Sequence, residues 1–347
     1  MDANSPTPDR RRAALGLVAV VVVVAAGGLV ISLAQPHSRV ATPTPVTAFT
    51  GPVVGLGFSV AYDLLTRQVV VFGGLDSESR TWLLKGRDWT LATPGTSPAG
   101  RSGATAAYDP ESQTVMLFGG SLASGTSAND TWSWDGTTWH ELDSGLHGPP
   151  AGQGAQMAWD DAPGEGVMVL VTDAETGTGG ETWTWNGTDW TRAVLGDLTV
   201  NLFGDVMAYD PTTQTLALVT PVSPDDEASL LMSWDGVRWR LLTTNGPPIR
   251  GMAVNPQIHT LLACEIAAYS TSLDAQDSCW EWTGFRWVEL RAAAPPDDSR
   301  QLMIEDEVAD PITARILMFG WLTRAIPGRP QPLHVWSWDG EVWRLLA

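Results

Sequence analysis

At 347 residues the chain is long enough for one large core or a repeat array. Asp and Glu outnumber Lys and Arg by 39 to 20, giving a formal charge of −19. That balance argues against nucleic acid and against adhesion to anionic lipid as partners.

The first twelve residues are polar and end in Arg10, Arg11 and Arg12. Ala13 to Ala34 follow without a charge and include the run Val20 to Val24. As a helix, that length spans a hydrocarbon core, and the arginines place its N-terminal side in the cytoplasm. The segment is read as a transmembrane signal anchor over 13–34, with 1–12 as a cytoplasmic tail. The competing reading is a signal peptide cleaved after Ala34, where Ser32-Leu33-Ala34 offers small residues. Either version exports the rest of the chain, so the expected location is the cell membrane, single-pass, with an extracytoplasmic C-terminal domain. Residues 35–51 carry Pro36, Pro43 and Pro45 among Ser, Thr and Ala and read as an extended linker. Residues 52–347 are the expected domain.

That domain repeats. Asp130 to Trp139 reads Asp-Thr-Trp-Ser-Trp-Asp-Gly-Thr-Thr-Trp, and variants end at Trp190, Trp239, Trp287 and Trp343, with a weaker copy ending at Trp89. Trp132 and Trp134 are two apart and share one face of a strand. Asp135-Gly136 is a hairpin turn, since Gly accepts positive φ and Asp tolerates it. Trp139 opens the returning strand. Of the 18 tryptophans, all but Trp159 and Trp321 fall in the columns of Trp132, Trp134 and Trp139. They read as core packing. Trp159 takes the place held by Tyr62, Tyr108 and Tyr209 in other repeats.

Each repeat carries four strand signals. In the second copy these are 103–108, then 114–118 after the Asp109-Pro110 turn, 131–134, and 139–142. Asp63, Asp109, Asp160, Asp210, Asn255 and Asp310 each follow a first strand, at steps close to fifty. Four short strands at that period fit a propeller blade.

Tyr62-Asp63, Val69 to Phe72 with Gly73-Gly74, and Trp82 with Trp89 resemble a Kelch repeat. So do Tyr108-Asp109-Pro110, Met116-Leu117-Phe118-Gly119-Gly120, and Thr131-Trp132 with Trp139. The resemblance, to bacterial membrane-anchored propellers of the Kelch and galactose oxidase central-domain type, covers 55–347. It implies an all-β protein of six four-stranded blades, each complete in sequence order. Later repeats depart from the pattern: the double glycine becomes Val171-Thr172, Thr220-Pro221 and Gly320-Trp321, and Tyr-Asp becomes Val254-Asn255.

The chemistry of that oxidase does not transfer. Its copper needs converging imidazoles, whereas His37, His140, His147, His259 and His334 are scattered singly. No cofactor, metal or catalytic residue is implied. The acidic loop residues Asp173, Glu175, Asp225, Asp226, Glu227, Asp274 and Asp277 read as a solvated rim, without the spacing of a calcium loop. Cys264 and Cys279 align with Phe118 and Thr131, neighbours on adjacent strands, and are expected to form a disulfide in an exported domain.

The function expected is binding or scaffolding. The alternative is a glycan-active hydrolase or lyase that uses one face of the ring, recognisable by two carboxyls converging in a central pocket. A sensor is a third reading, with only twelve residues for an output. The short first-to-second and third-to-fourth turns share one face. The variable connections at 121–129, 173–180, 222–229, 267–277 and 322–333 share the other, where a protein or carbohydrate would dock. Trp321, Tyr269, Arg324 and Arg329 are the candidate ligand-binding residues there.

Overall fold

The computed structural model describes residues 21–25 and 28–32 at the level of backbone, and the chain from 51 to 346. Outside it lie 75–78, 163–165, 174–178, 195–197, 199–204, 222–227, 266–277, 291–301, 323–331 and the single positions 147, 153, 248 and 250. The chain divides into two units, Met1–Ala48 and Phe49–Ala347.

In the first unit, Val21–Ala25 pairs antiparallel with Gly28–Ser32. The helix expected over 13–34 is not among the described elements, which cover only these two strands of that span. The run is mostly valine, whose branched side chain is stiff at χ1 and favours strands over helices in the absence of a bilayer. Among the described residues no helix is long and apolar enough to cross a membrane.

The second unit is an all-β ring of six four-stranded antiparallel sheets, each with its strands in chain order, and in the second blade the short strand Ser121–Leu122 pairs outside the sheet with Arg101–Ser102. The first strands of the blades are Phe58–Asp63, Thr105–Asp109, Gln156–Asp160, Val206–Asp210, Gly251–Asn255 and Leu302–Asp310. Each packs against the first strand of the next blade, and that of blade 6 packs against that of blade 1, so the ring closes. Closure is reinforced by the segment entering blade 1. Pro52 O accepts from Leu333 N at 2.9 Å, and Val53 bridges Pro332.

The Asp column makes the turn after each first strand. Asp63 Oδ1 accepts from the backbone N–H groups of Leu65 and Thr66, at 2.9 and 3.1 Å, and Thr66 Oγ1 donates to Oδ2 at 2.6 Å. Asp109, Asp210 and Asp310 repeat the pattern with Ser112, Thr213 and Thr313. The turn leaves its last residue in the left-handed region at Arg67, Gln113, Gln214, His259 and Ala314, with φ between 53° and 58°. The Asp-Gly hairpin is also present. Asp135 Oδ1 accepts from Thr137 and Thr138 N–H, and Gly136 has φ 95°.

The tryptophan columns form the packing between blades. Trp134, Trp139 and Trp234 are 1% exposed. The fourth-strand indoles also reach across to the preceding blade. Trp139, Trp190 and Trp239 donate Nε1–H to Thr81, Thr131 and Thr182 Oγ1, each at 2.8 Å. In blades 4, 5 and 6 the residue at the threonine position is Leu231, Cys279 and Val335. The indoles that would reach them, Trp287, Trp343 and Trp89, have no partner among the described residues. Thr131→Val should therefore leave the buried Trp190 N–H unpaired and destabilise the fold by about 1–3 kcal/mol. Chemical denaturation would show the shift, and a change below about 0.5 kcal/mol would contradict the role given to the pair.

In blade 5 the second strand, Thr260–Glu265, pairs with the third, Ser278–Trp282, so that Cys264 faces Cys279. The corresponding positions of blade 2, Phe118 and Thr131, face each other in the same way. The two sulfur atoms of blade 5 lie 2.05 Å apart, and both residues are fully buried. Closing a 15-residue separation should contribute about 3 kcal/mol in the chain-entropy model. Replacing both cysteines by alanine should lower the urea midpoint accordingly. A reductant should do the same to the parent once unfolded, and an unchanged midpoint in both would exclude the cross-link.

Candidate functional site

Because the first strands line the axis, their residues define a central channel of about 860 Å³. Registering the strands on the Asp column gives its layers. One residue before it stand Tyr62, Tyr108, Trp159 and Tyr209. Tyr62 and Tyr108 line the channel, and all three tyrosines bond the preceding blade. Burial, followed by a hydrogen bond to the Asp310 carboxyl, raises the pKa of Tyr62 strongly. Tyr108 bonds the Leu65 backbone, and Tyr209 Oη donates to Asp161 O at 3.1 Å. Their hydroxyls are thus committed to holding blades together.

Two before the column stand Ala61, Ala107, Ala158, Ala208, Ala253 and Val308, small residues that let the strands converge. Three before it stand Val60, Ala106, Met157, Met207, Met252 and Glu307. Glu307 is the one charged residue type in an apolar layer. Its side chain is 6% exposed, and neither Oε has a hydrogen-bond partner among the described residues. Burial, followed by the charge of Asp306, pushes its carboxyl up to about 8. At neutral pH it is a protonated acid, able to donate.

The space for Glu307 comes from blade 5. A Cβ built on Gly251 would lie 2.7 Å from Glu307 Cγ. The other strands carry Ser59, Thr105, Gln156, Val206 and Asp306 at the Gly251 position. Any of these side chains would occupy the glutamate's place. Asp205, five before its column, is also buried and lines the channel. The half nearer the long connections is therefore acidic, with Asp205, Asp306 and Glu307. Among the described lining residues there is no lysine or arginine.

Of the residues expected to bind ligand, Trp321 alone lies among the described residues. Trp321 is 6% exposed and packs edge-on against Phe58, ring centroids 5.2 Å apart, within the core between blades 6 and 1. The reason is register. The second strand of blade 6, Arg315–Leu322, stays paired through Trp321, opposite Met303, so Trp321 shares a face with Leu317 and Phe319. Tyr269, Arg324 and Arg329 lie outside the described residues, as do Glu175, Asp225, Asp226, Glu227, Asp274 and Asp277 of the acidic rim. Among the described residues no group of three His, Cys, Asp or Glu is arranged to hold a metal. Sequence reasoning missed Glu307, although aligning the first strands on Asp310 exposes it as the acid in a column of Val, Ala and Met.

Comparison with known proteins bears on the fold. No family model and no curated protein sequence matches the chain. Among solved structures the chain is similar to YjhT, with a TM-score of 0.53 and 12% identity over 86% of this chain and 99% of that one. It is also similar to a variant of the Aleuria aurantia lectin in complex with Fucalpha1-6GlcNAc. There the TM-score is 0.57 and the identity 13%, over 85% of this chain and 97% of that one. The fold is a six-bladed β-propeller. At these identities the likeness speaks for architecture alone, and the sequence resemblance to Kelch repeats stands as the reading of the residues already quoted.

Proposed function

We propose that this propeller is a carbohydrate-binding domain of Kelch type, exported and tethered to a membrane by its N-terminal segment. The observation that carries the binding reading is the channel itself. It is a concave space of ligand size, lined from all six blades and furnished with a few polar groups on apolar walls. The lectin of the same fold is a protein whose structure contains a glycan, which supports a carbohydrate as the ligand class. The variable connections would supply further contacts, with Tyr269, Arg324 and Arg329 among them. Trp321 acts through packing instead. The length and arginine flank of 13–34 support the tether.

The test of binding is a screen of the chain from Phe49 onward against immobilised cell-surface glycans and surface proteins. Saturable binding of a glycan supports the proposal, and selective capture of a protein with no glycan bound would overturn it. The tether is tested by N-terminal sequencing of the protein in the membrane fraction. A mature chain starting at Gln35 in the supernatant would refute it.

A hydrolase or lyase is the second reading, favoured by the carboxyls of Asp205, Asp306 and Glu307 along one channel. Release of reducing ends, or of unsaturated products, from a bound glycan would select it over binding alone.

A further inference from the structure

Glu307 poses a problem that the fold alone does not solve. A buried carboxyl without a hydrogen-bond partner is costly, and an apolar residue at that position would pack like Met252 or Met207. Yet blade 5 carries a glycine whose missing side chain is what admits it. The pair reads as a built notch on the channel wall, between blades 5 and 6.

We infer that this notch is a binding site for a primary ammonium group, presented by an amino sugar whose amine is not acetylated. The inference rests on the proposed carbohydrate function and specifies its ligand. Three observations favour a cation over a neutral hydroxyl. Glu307 lines the channel, and both its oxygens are buried without a hydrogen-bond partner among the described residues. Asp306 and Asp205 line the same half. No lysine or arginine stands among the described lining residues.

The groups around Glu307 decide what happens on binding. The blade 5 strand against it, Gly251–Asn255, contributes no titratable side chain. The blade 1 strand contributes Tyr62 and Asp63, at the far end. The strand paired with it contributes Arg315, whose guanidinium donates to Ser337 Oγ. His259 lines the short-turn end. Burial, followed by the charge of Asp306, keeps the proton on Glu307. An incoming ammonium takes the place of that proton: Glu307 ionises, the ion pair forms, and one proton passes to solvent. A neutral sugar would instead accept a hydrogen bond from the acid, with no proton released.

The test is calorimetry on the full-length chain in detergent micelles at about pH 5, below the titration range of the amine. Buffers of different ionisation enthalpy report the protons exchanged. Three probes are compared: a short glucosamine oligomer, its fully N-acetylated counterpart, and a non-sugar diamine of similar span. The glucosamine oligomer should bind with release of about one proton. Glu307→Gln, isosteric with the neutral acid, should weaken it by about tenfold or more and abolish the release. Equal binding of the acetylated oligomer, or binding without proton release, overturns the inference and leaves the carbohydrate reading standing. Diamine binding with proton release, and no binding of either oligomer, keeps the ammonium site and overturns the carbohydrate. Binding of none of the three overturns the inference, and the glycan screen then decides the function on its own.

Discussion

Glu307→Gln should flatten the pH dependence of stability between pH 4 and pH 9. In the native protein the carboxyl holds its proton to about 8, whereas in the unfolded chain it loses it near 4.5. Below both values the group is protonated in either state and carries no penalty. As pH rises between them, the unfolded chain releases its proton and gains stability relative to the fold. Stability from this residue is therefore fully present below about 4.5 and is lost as pH rises to about 8. The shift corresponds to a loss on the order of 5 kcal/mol across the window. Urea midpoints measured at both ends for parent and variant isolate this residue, because the other acidic groups are common to both. Parallel profiles would mean that the carboxyl is solvated or paired in solution.

Arg101→Met should destabilise the propeller by about 3–5 kcal/mol. The Arg101 side chain is 1% exposed and meets the Asp130 carboxylate through both terminal nitrogens, the second at 2.9 Å. It also donates to Gly119 O at 2.9 Å and to Ala99 O at 3.0 Å. Removing it strands a carboxylate and two carbonyls between blades 1 and 2. Burial acts to raise the pKa of Asp130, but hydrogen bonds from Arg101 and Trp132 outweigh it and hold the carboxyl below its ordinary value. The contribution of this pair is thus present above pH 4 and is lost as pH falls further, opposite in sense to that of Glu307. Adding Asp130→Leu to Arg101→Met should recover only part of the loss, because the Trp132 indole at 2.7 Å then loses its acceptor. A single variant within about 1 kcal/mol of the parent would show that the pair contributes little.

What was legible in the chain follows the period of the repeat. The Trp, Asp and Gly columns each fix one backbone event, so six copies specify six blades regardless of local ambiguity. The cysteine pair was legible for the same reason, since blade 2 supplied its register. Even the missing Trp–Thr bonds can be read in advance from Leu231, Cys279 and Val335. At two places the columns do not decide the reading. The valine run before residue 35 suits a helix in lipid and a strand outside it, and no column arbitrates. Trp321 replaces a column glycine, and parity with Leu317 and Phe319 outweighs the departure. Glu307 went unread because its meaning lies in a mismatch across blades: an acid in an apolar layer, facing a glycine where neighbours carry side chains.

The most direct test of a channel-centred binding site is a crystal structure of the chain from Phe49 onward, grown with the best glycan from the screen. Ligand density in the channel, in contact with Glu307 beside Gly251, is the result expected. Density confined to clefts at the outer rim of the blades, with the channel open and Glu307 untouched, would contradict it.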